Sequence, residues 1–388
     1  MKRVRQSHPT AIRTTIFADL KCRGIVLSKK RQLRSGFTTG TAAAAAVKGA
    51  VTLLLTGRCP KEVVIPFLTE GEVTIPLVFC EMQKGAAVVT VMKDGGDDPD
   101  ITKHAIIGAR VRFGEKDEIT GGEGVGRVTR PGLEVPVGEP AINPGPQKMI
   151  GQSVEVVRSE TGDERPLSME IFVPDGKEMA KKTLNFRLGI EGGISILGTT
   201  GIERPLSHEA YEATVRSSIK VAKAMGAESV VCTTGRRSER FAMAFFPAFD
   251  EARFVQIGDY FKSSMVTAGE QGTDVILSVF FGKAVKMAAG IPHTHAAKSD
   301  LNLRFLADLV AEMVDDKALV EKVAGSNSAR EAFTHLAGPC PDVIARVGEL
   351  AAESAKRFAR ESGKKIETRC IIFDFDGNVA SDTAREAR

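Results

Sequence analysis

Residues 229–237 read Ser-Val-Val-Cys-Thr-Thr-Gly-Arg-Arg. A short apolar run that breaks into Thr-Thr-Gly and resumes in charged residues is a strand, a loop and a helix start within nine positions. The texture recurs downstream. Phe254 to Ile257 leads through Gly258-Asp259 into a helix from Tyr260, and Val275 to Phe281 leads into one from Lys283. Upstream, Ile194 to Leu197 leads through Gly198-Thr199-Thr200-Gly201 into a helix over Ser207 to Met225, with Tyr211, Val215, Ala222 and Met225 as its apolar positions. The helix from Arg237 ends at Pro247. Four strand-loop-helix units in a row predict a parallel sheet covered by helices. Residues 299–361 read as helical, and Cys370 to Phe375 as a last strand.

Before Gly192 the pattern differs. Glu62 to Pro66, Val73 to Phe79, Ala86 to Lys93, Ala109 to Phe113 and Val154 to Arg158 read as short strands between Gly-, Pro- and Asp-rich turns. Few helices interleave with them, which predicts an α+β arrangement. One helix does stand out. After the loop Ser35-Gly36-Phe37-Thr38-Thr39-Gly40-Thr41, residues Ala42 to Leu55 are apolar all round and must be buried. Gly49 within it implies close approach to another backbone, and Gly57 supplies the stop. The expected architecture is therefore an α+β domain over 33–190 followed by a Rossmann-like, parallel-sheet α/β domain over 191–388 with a helical C-terminal part. Residues 1–32 carry nine Lys and Arg with little periodic apolar content and read as a poorly ordered basic leader.

The composition suits such a protein. With 388 residues, 43% hydrophobic and 26% charged, the chain can bury large cores without staples. A net charge of +4 gives no case for nucleic acid. No uninterrupted apolar run approaches the roughly 20 residues that span a bilayer, and no secretory h-region follows the N-terminus. The six cysteines are scattered singly, which suggests reduced, buried thiols in a cytoplasmic protein rather than a disulfide or zinc framework. No Trp and only two Tyr argue against a stacking platform for bases or sugars.

In open parallel sheets ligands bind beyond the carboxyl ends of the strands. That rule places Gly198, Thr199, Thr200 and Gly201 along one edge with Thr233, Thr234, Gly235, Gly258-Asp259 and Gly282-Lys283. Thr38, Thr39, Gly40 and Thr41 repeat the chemistry ahead of the buried helix. Glycine admits a close ligand, threonine hydroxyls donate, and a helix N-terminus favours an anion. One such loop is usually just an N-cap, but three that lead into helices indicate ligand binding. Arg236 and Arg237 follow the third loop, with Arg240 one turn on and Arg204 beside the second loop; clustered guanidiniums suit carboxylates or phosphates. The stretch Lys93-Asp94-Gly95-Gly96-Asp97-Asp98-Pro99-Asp100 reads as a tight acidic turn or as a carboxylate surface for a cationic ligand; its spacing is not that of a calcium loop. Gly122-Glu123-Gly124-Val125-Gly126 lies between strands and is no dinucleotide fingerprint. Ile371 to Gly377 imitates a phosphatase aspartate motif, with too little chain after it to build that domain. His293 and His295 sit beside the presumed ligand edge.

Taken in order, Leu33 to Thr41, the Asp94–Asp100 loop, Gly122 to Arg130, Gly192 to Gly201, Thr233 to Arg237 and Gly282 through Gly290 to His295 resemble the cobalt-precorrin-5B C-1 methyltransferase family over residues 33–376. The resemblance implies transfer of a methyl group from S-adenosylmethionine to carbon 1 of a cobalt-containing ring, giving cobalt-precorrin-6A in the anaerobic route to cobalamin. It implies a cobalt-precorrin as the ligand, cobalt carried by that substrate and not by the protein, no nucleic acid or membrane partner, and room for neighbouring pathway enzymes. The sequence departs from the family pattern at Ala42, where many relatives have Cys, and at Val279-Phe280, where many have Gly-His. His295 matches the family histidine and His293 does not. On this reading Thr38–Thr41 and Thr199–Gly201 hold an anionic ligand or the donor's carboxylate, with Asp94, Asp98 and Lys283 lining the site. Arg236 and Arg237 orient ring carboxylates, and His295 or Asp97 takes any proton. A non-catalytic corrinoid carrier and a small-molecule kinase are the competing classes; the second lacks a Walker lysine motif.

Overall fold

The computed structural model describes residues 33–205, 207–295 and 299–386; the basic leader expected over 1–32 lies outside them. From Arg34 onward the chain clusters as one compact unit containing two large hydrophobic cores.

The first core forms around helix α1, Thr39–Thr56. Thr38 caps it through its hydroxyl, which accepts from the Thr41 amide. Gly57, at φ +69°, ends it by donating its N–H to Leu53 O. By length and composition α1 would cross a membrane, yet it lies in the protein interior, 72% buried. It rests on a sheet of β1 (Glu62–Pro66), β2 (Glu72–Gln83), β3 (Ala86–Met92), β4 (Ile106–Phe113), β5 (Glu118–Gly121) and β6 (Leu167–Phe172), in the order β1-β2-β3-β4-β6-β5. Every pair is antiparallel except β5 with β6. Gly49 is where the helix touches the sheet, against the side chains of Leu77 and Val89 and not against backbone: an added Cβ would come 2.8 Å from Leu77 Cδ1.

Val154–Arg158, expected as a strand, lies inside helix α2, Pro144–Thr161, which packs against α1. Met149, Ile150, Ser153, Val154 and Val157 are among its buried positions, a helical spacing that the short apolar run alone did not reveal.

The second core surrounds a five-stranded mixed sheet. It comprises β7 (Ser229–Thr233), β8 (Phe254–Gln256), β9 (Asp274–Phe280), β10 (Thr368–Phe373) and β11 (Val379–Asp382), in the order β8-β7-β9-β10-β11. The first four run parallel, but β11 pairs antiparallel with β10, so the sheet is not wholly parallel as expected. The helices are α3 (His208–Ala224), α4 (Arg236–Phe245), α5 (Phe261–Gln271), α6 (Phe281–Ala288), α7 (Ser299–Met313), α8 (Lys317–Ala324), α9 (Ala329–Leu336) and α10 (Pro341–Arg360). One sheet face carries Val231, Phe254, Ile276, Ile371 and Phe373, packed under α4; the other carries Val230, Cys232, Leu277 and Ile372 under α3, α5, α6 and α10.

Two expectations fail here for physical reasons. Ile194–Leu197 adds no strand to the second sheet: Ile194 and Ile196 belong to the first core and make only isolated bridges to Val125 and Ile142. The cysteines are not all reduced and buried, because Cys59, exposed after α1, is disulfide-bonded to Cys80 of β2 with the Cα atoms 6.0 Å apart. The β1–β2 hairpin brings them together, a proximity that their separation of 21 residues does not announce.

Candidate functional site

The loops singled out by the sequence fall into two groups, not along one edge. In the first group the two earlier Thr-Thr-Gly loops hold each other. Thr38 N donates to Gly201 O at 3.0 Å and Gly40 N to Leu197 O at 3.0 Å. The Thr41 hydroxyl donates to Gly201 O at 2.7 Å, and the Thr39 hydroxyl accepts from Leu197 N at 2.9 Å. Thr38, Thr39 and Thr41 are buried, and their hydroxyls are taken up by α1's own cap or by the 195–201 segment. These hydroxyls therefore form a clasp between two segments of the chain. Thr199 is exposed, whereas Thr200 O accepts from Leu68 N.

The acidic loop closes on the same clasp. Arg34 grips Asp94 with two hydrogen bonds, at 2.5 and 2.8 Å, and the Asp97 carboxylate accepts from Arg34 N at 2.8 Å. Phe37 N donates to Asp94 O. The Arg34 hydrogen bonds, against the opposing effect of burial, hold the Asp94 carboxyl at about 2. Asp98 helps fold the turn, its carboxylate accepting from Asp100 N. Beneath lies Lys93, 1% exposed and ion-paired to Glu203, whose carboxyl is pushed up by burial against the pull of Lys93. The Lys93 ammonium makes no well-aligned hydrogen bond, yet the ion pair partners it.

The second group sits at the carboxyl ends of β7, β8 and β9. Thr233 is fully buried, with Thr234 and Gly235 half-buried above it. Arg236 is exposed and has no hydrogen bond or ion pair among the described residues. Arg237 is engaged: it donates to Phe375 O and lies over the Phe280 and Phe241 rings, 5.6 and 5.8 Å from their centroids. Lys283 is ion-paired with Asp259 and hydrogen-bonded to Thr294. Burial tends to raise the Asp259 carboxyl, but Lys283 and the Thr294 hydroxyl together bring it below its ordinary value. Lys286 donates to Thr294 O and His295 O, so both lysines fasten the 292–295 strap. Burial and the neighbouring Lys283 charge depress Lys286. The His295 ring itself is exposed.

The sequence reading missed the aromatic cluster here. Tyr211 and Tyr260, the only two tyrosines of the chain, stack with centroids 5.0 Å apart. His208 Nδ1 hydrogen-bonds the Tyr260 hydroxyl at 2.6 Å, and His293 stands edge-on to Tyr260 at 4.9 Å. The rings of this cluster come from three separate segments, so their meeting was not visible in the sequence. His208 and Tyr211, three apart at the start of α3, were the available signal, since that spacing puts them on one helix face.

The two groups are near neighbours along the chain. Glu203 belongs to the first and His208 to the second, so only four residues separate them and their Cα atoms lie at most about 18 Å apart. Arg187 and Gln256 both bind Glu239, at 2.5 and 2.7 Å, tying the segment before the clasp to the second sheet. A cavity of about 540 Å³, lined by Asp117, Ile119, Val135, Glu139, Arg158 and Met169, includes none of the Thr-Thr-Gly residues.

The fold is that of a mixed α/β protein with one mostly antiparallel and one mostly parallel sheet. Family models described as CbiD and as CbiD, C-terminal domain match residues 26–205 and 293–384. A Geobacillus kaustophilus protein named cobalt-precorrin-5B C(1)-methyltransferase is 44% identical over 79% of this chain and 83% of its own length. Proteins of the same name from Thermus thermophilus and Leptospira borgpetersenii are 46% and 38% identical, over 78% and 90% of this chain and 81% and 95% of theirs. The crystal structure of the cobalamin biosynthesis protein (cbiD) from Archaeoglobus fulgidus aligns at a TM-score of 0.37 with 31% identity, covering 64% of this chain and 78% of that one. The chain belongs to the CbiD family, whose curated members carry the name cobalt-precorrin-5B C(1)-methyltransferase.

Proposed function

We infer that this chain is an enzyme that methylates cobalt-precorrin-5B at ring carbon 1, with S-adenosylmethionine as the methyl donor and cobalt-precorrin-6A as the product. The observation that carries the activity is the identity of 38–46% to relatives of that name over 78–90% of the chain. We also read the second half as Rossmann-like, since its parallel strands β8-β7-β9-β10 send helices to both sheet faces.

The residues present fit an amino-acid-bearing donor at the carboxyl ends of β7 and β9. A buried Thr233 hydroxyl without a partner among the described residues lies there, beneath a loop whose Gly235 faces open space. When bound, S-adenosylmethionine supplies a methyl group carried on a sulfonium. Thr234, Gly235 and Lys283 line the donor's end of the site. Arg236 meets a carboxylate of the ring, and Thr199 and Gly198 meet the ring on the clasp side. Arg237 positions the loop through Phe280 and Phe375. Asp94, Asp97 and Asp98 hold the clasp in shape with Arg34, while Thr38, Thr39, Gly40, Thr41, Thr200 and Gly201 form it. Methyl transfer of this kind is an in-line displacement, so these residues act mainly by alignment and by keeping water out. A proton leaving the ring goes to the exposed His295 imidazole or to the Asp97 carboxylate, which also accepts from Arg34 N.

Calorimetry separates this reading from its competitors. Binding of both S-adenosylmethionine and a corrin polycarboxylate is expected. Binding of the ring alone would indicate a carrier, and binding of ATP would indicate a kinase.

A further inference from the structure

Strands β7 and β9 are neighbours, with Thr233 the register partner of Ser278. The helices that follow them leave in opposite directions: α4 packs on one face of the sheet and α6 on the other. Where adjacent parallel strands part company in this way, a crevice opens between the two loops.

Thr233, the last residue of β7, and Ser278, two residues before the end of β9, lie side by side just beneath those loops. Both are fully buried, and neither hydroxyl has a hydrogen-bond partner among the described residues. Strand alternation puts both on the α4 face, because Val231 and Ile276, two positions earlier, pack there. A buried hydroxyl left unpaired is costly, so two at one register position need a reason. The helix starts around them are also bare. Among the described residues, α4 and α6 begin at Gly235 and Phe280 without a side-chain cap, as α2 and α10 also do, whereas Thr38 and Ser207 cap α1 and α3. The uncapped amides of α4 and α6 and these two hydroxyls together form a set of donors that no described side chain accepts from. Arg236, exposed next to Gly235, adds positive charge.

We propose that the Thr233–Ser278 crevice, with the bare N-termini of α4 and α6, is a carboxylate-binding subsite, and that Ser278 is a ligand-contacting residue. Thr233 and Ser278 donate their hydroxyl hydrogens to the two carboxylate oxygens. The carboxylate comes either from the amino-acid end of the methyl donor or from an acetate or propionate arm of the ring. The inference rests on the proposed methyl transfer for the identity of the ligands, but not for the donor geometry.

The test uses Thr233→Val, Thr233→Ser and Ser278→Ala in the full chain, read by calorimetry and thermal unfolding. The probes are S-adenosylhomocysteine and cobyrinic acid, a corrin polycarboxylate. Hydroxyls that serve only the fold, having no partner, can be removed with unchanged or raised stability and unchanged affinity. The proposal predicts that Thr233→Val and Ser278→Ala each weaken binding of one probe by about 10- to 100-fold while Thr233→Ser keeps it. Loss confined to S-adenosylhomocysteine assigns the donor's carboxylate; loss confined to cobyrinic acid assigns a ring arm. Undiminished affinity for both probes in the Ser278→Ala protein overturns the proposal, and that variant carries the test if Thr233→Val fails to fold. Failure of the parent chain to bind either probe would instead sink the proposed function.

Discussion

Replacing Gly198 with Ala strikes the clasp between the first two Thr-Thr-Gly loops. Gly198 sits at φ +136°, a backbone region that is essentially glycine's own, and an alanine there costs about 1–3 kcal/mol in strain. Its Cβ would also lie 2.6 Å from Thr38 Cβ and 2.7 Å from Thr38 Cγ2, closer than such atoms pack. Thr38 cannot easily retreat, because its amide binds Gly201 O and its hydroxyl caps α1. Overpacking of this kind adds about 1–3 kcal/mol, so the total loss is about 2–6 kcal/mol. Urea unfolding reads it as a lower midpoint at unchanged slope. Gly192→Ala is the control: φ is +82°, an added Cβ meets nothing within 4 Å, and only about 1–2 kcal/mol of backbone cost is expected. Equal losses in the two variants would refute the clasp.

Further outcomes follow from the same contacts. Asp94 is held at about 2 against an ordinary 3.8, so its ion pair stabilises the fold above the ordinary value and that contribution disappears as pH falls toward 2. Asp94→Asn should flatten stability against pH in that acid window; the step is small because the side chain is 41% exposed. Arg236→Ala should raise KM for the ring with stability within about 0.5 kcal/mol of the parent. Arg237→Ala should lower the melting temperature as well, since it removes packing on Phe280 and a bond to Phe375 O. Reduction of Cys59–Cys80 should cost about 3 kcal/mol by loop entropy, seen as a lower midpoint in reductant. Burial pushes the Cys232 thiol up to about 12, so alkylation followed by peptide mapping should find it unmodified until the chain unfolds.

Much of this molecule could be read from local pattern. β1 matches its expected span residue for residue, and β7, β8 and β9 agree within a residue or two at their ends, because each is a continuous or alternating apolar run between turn residues. The strand expected at Val154–Arg158 failed because a five-residue segment with three valines looks alike in a strand and on the buried side of α2. Long-range geometry was not legible at all. Nothing local tells that Gly198–Gly201 returns to Thr38 and not to the second sheet, or that Cys59 meets Cys80. The aromatic cluster was hidden for the same reason, since His208, Tyr260 and His293 come from three separate segments. Ser278 looked like an ordinary strand residue; only its register with Thr233 and its lack of a partner single it out.

The most direct test of the account is anaerobic turnover of cobalt-precorrin-5B with methyl-labelled S-adenosylmethionine, read by product mass and by label position. The account predicts one added methyl group with the label at ring carbon 1. A well-folded protein that binds the ring and leaves it unlabelled would contradict it.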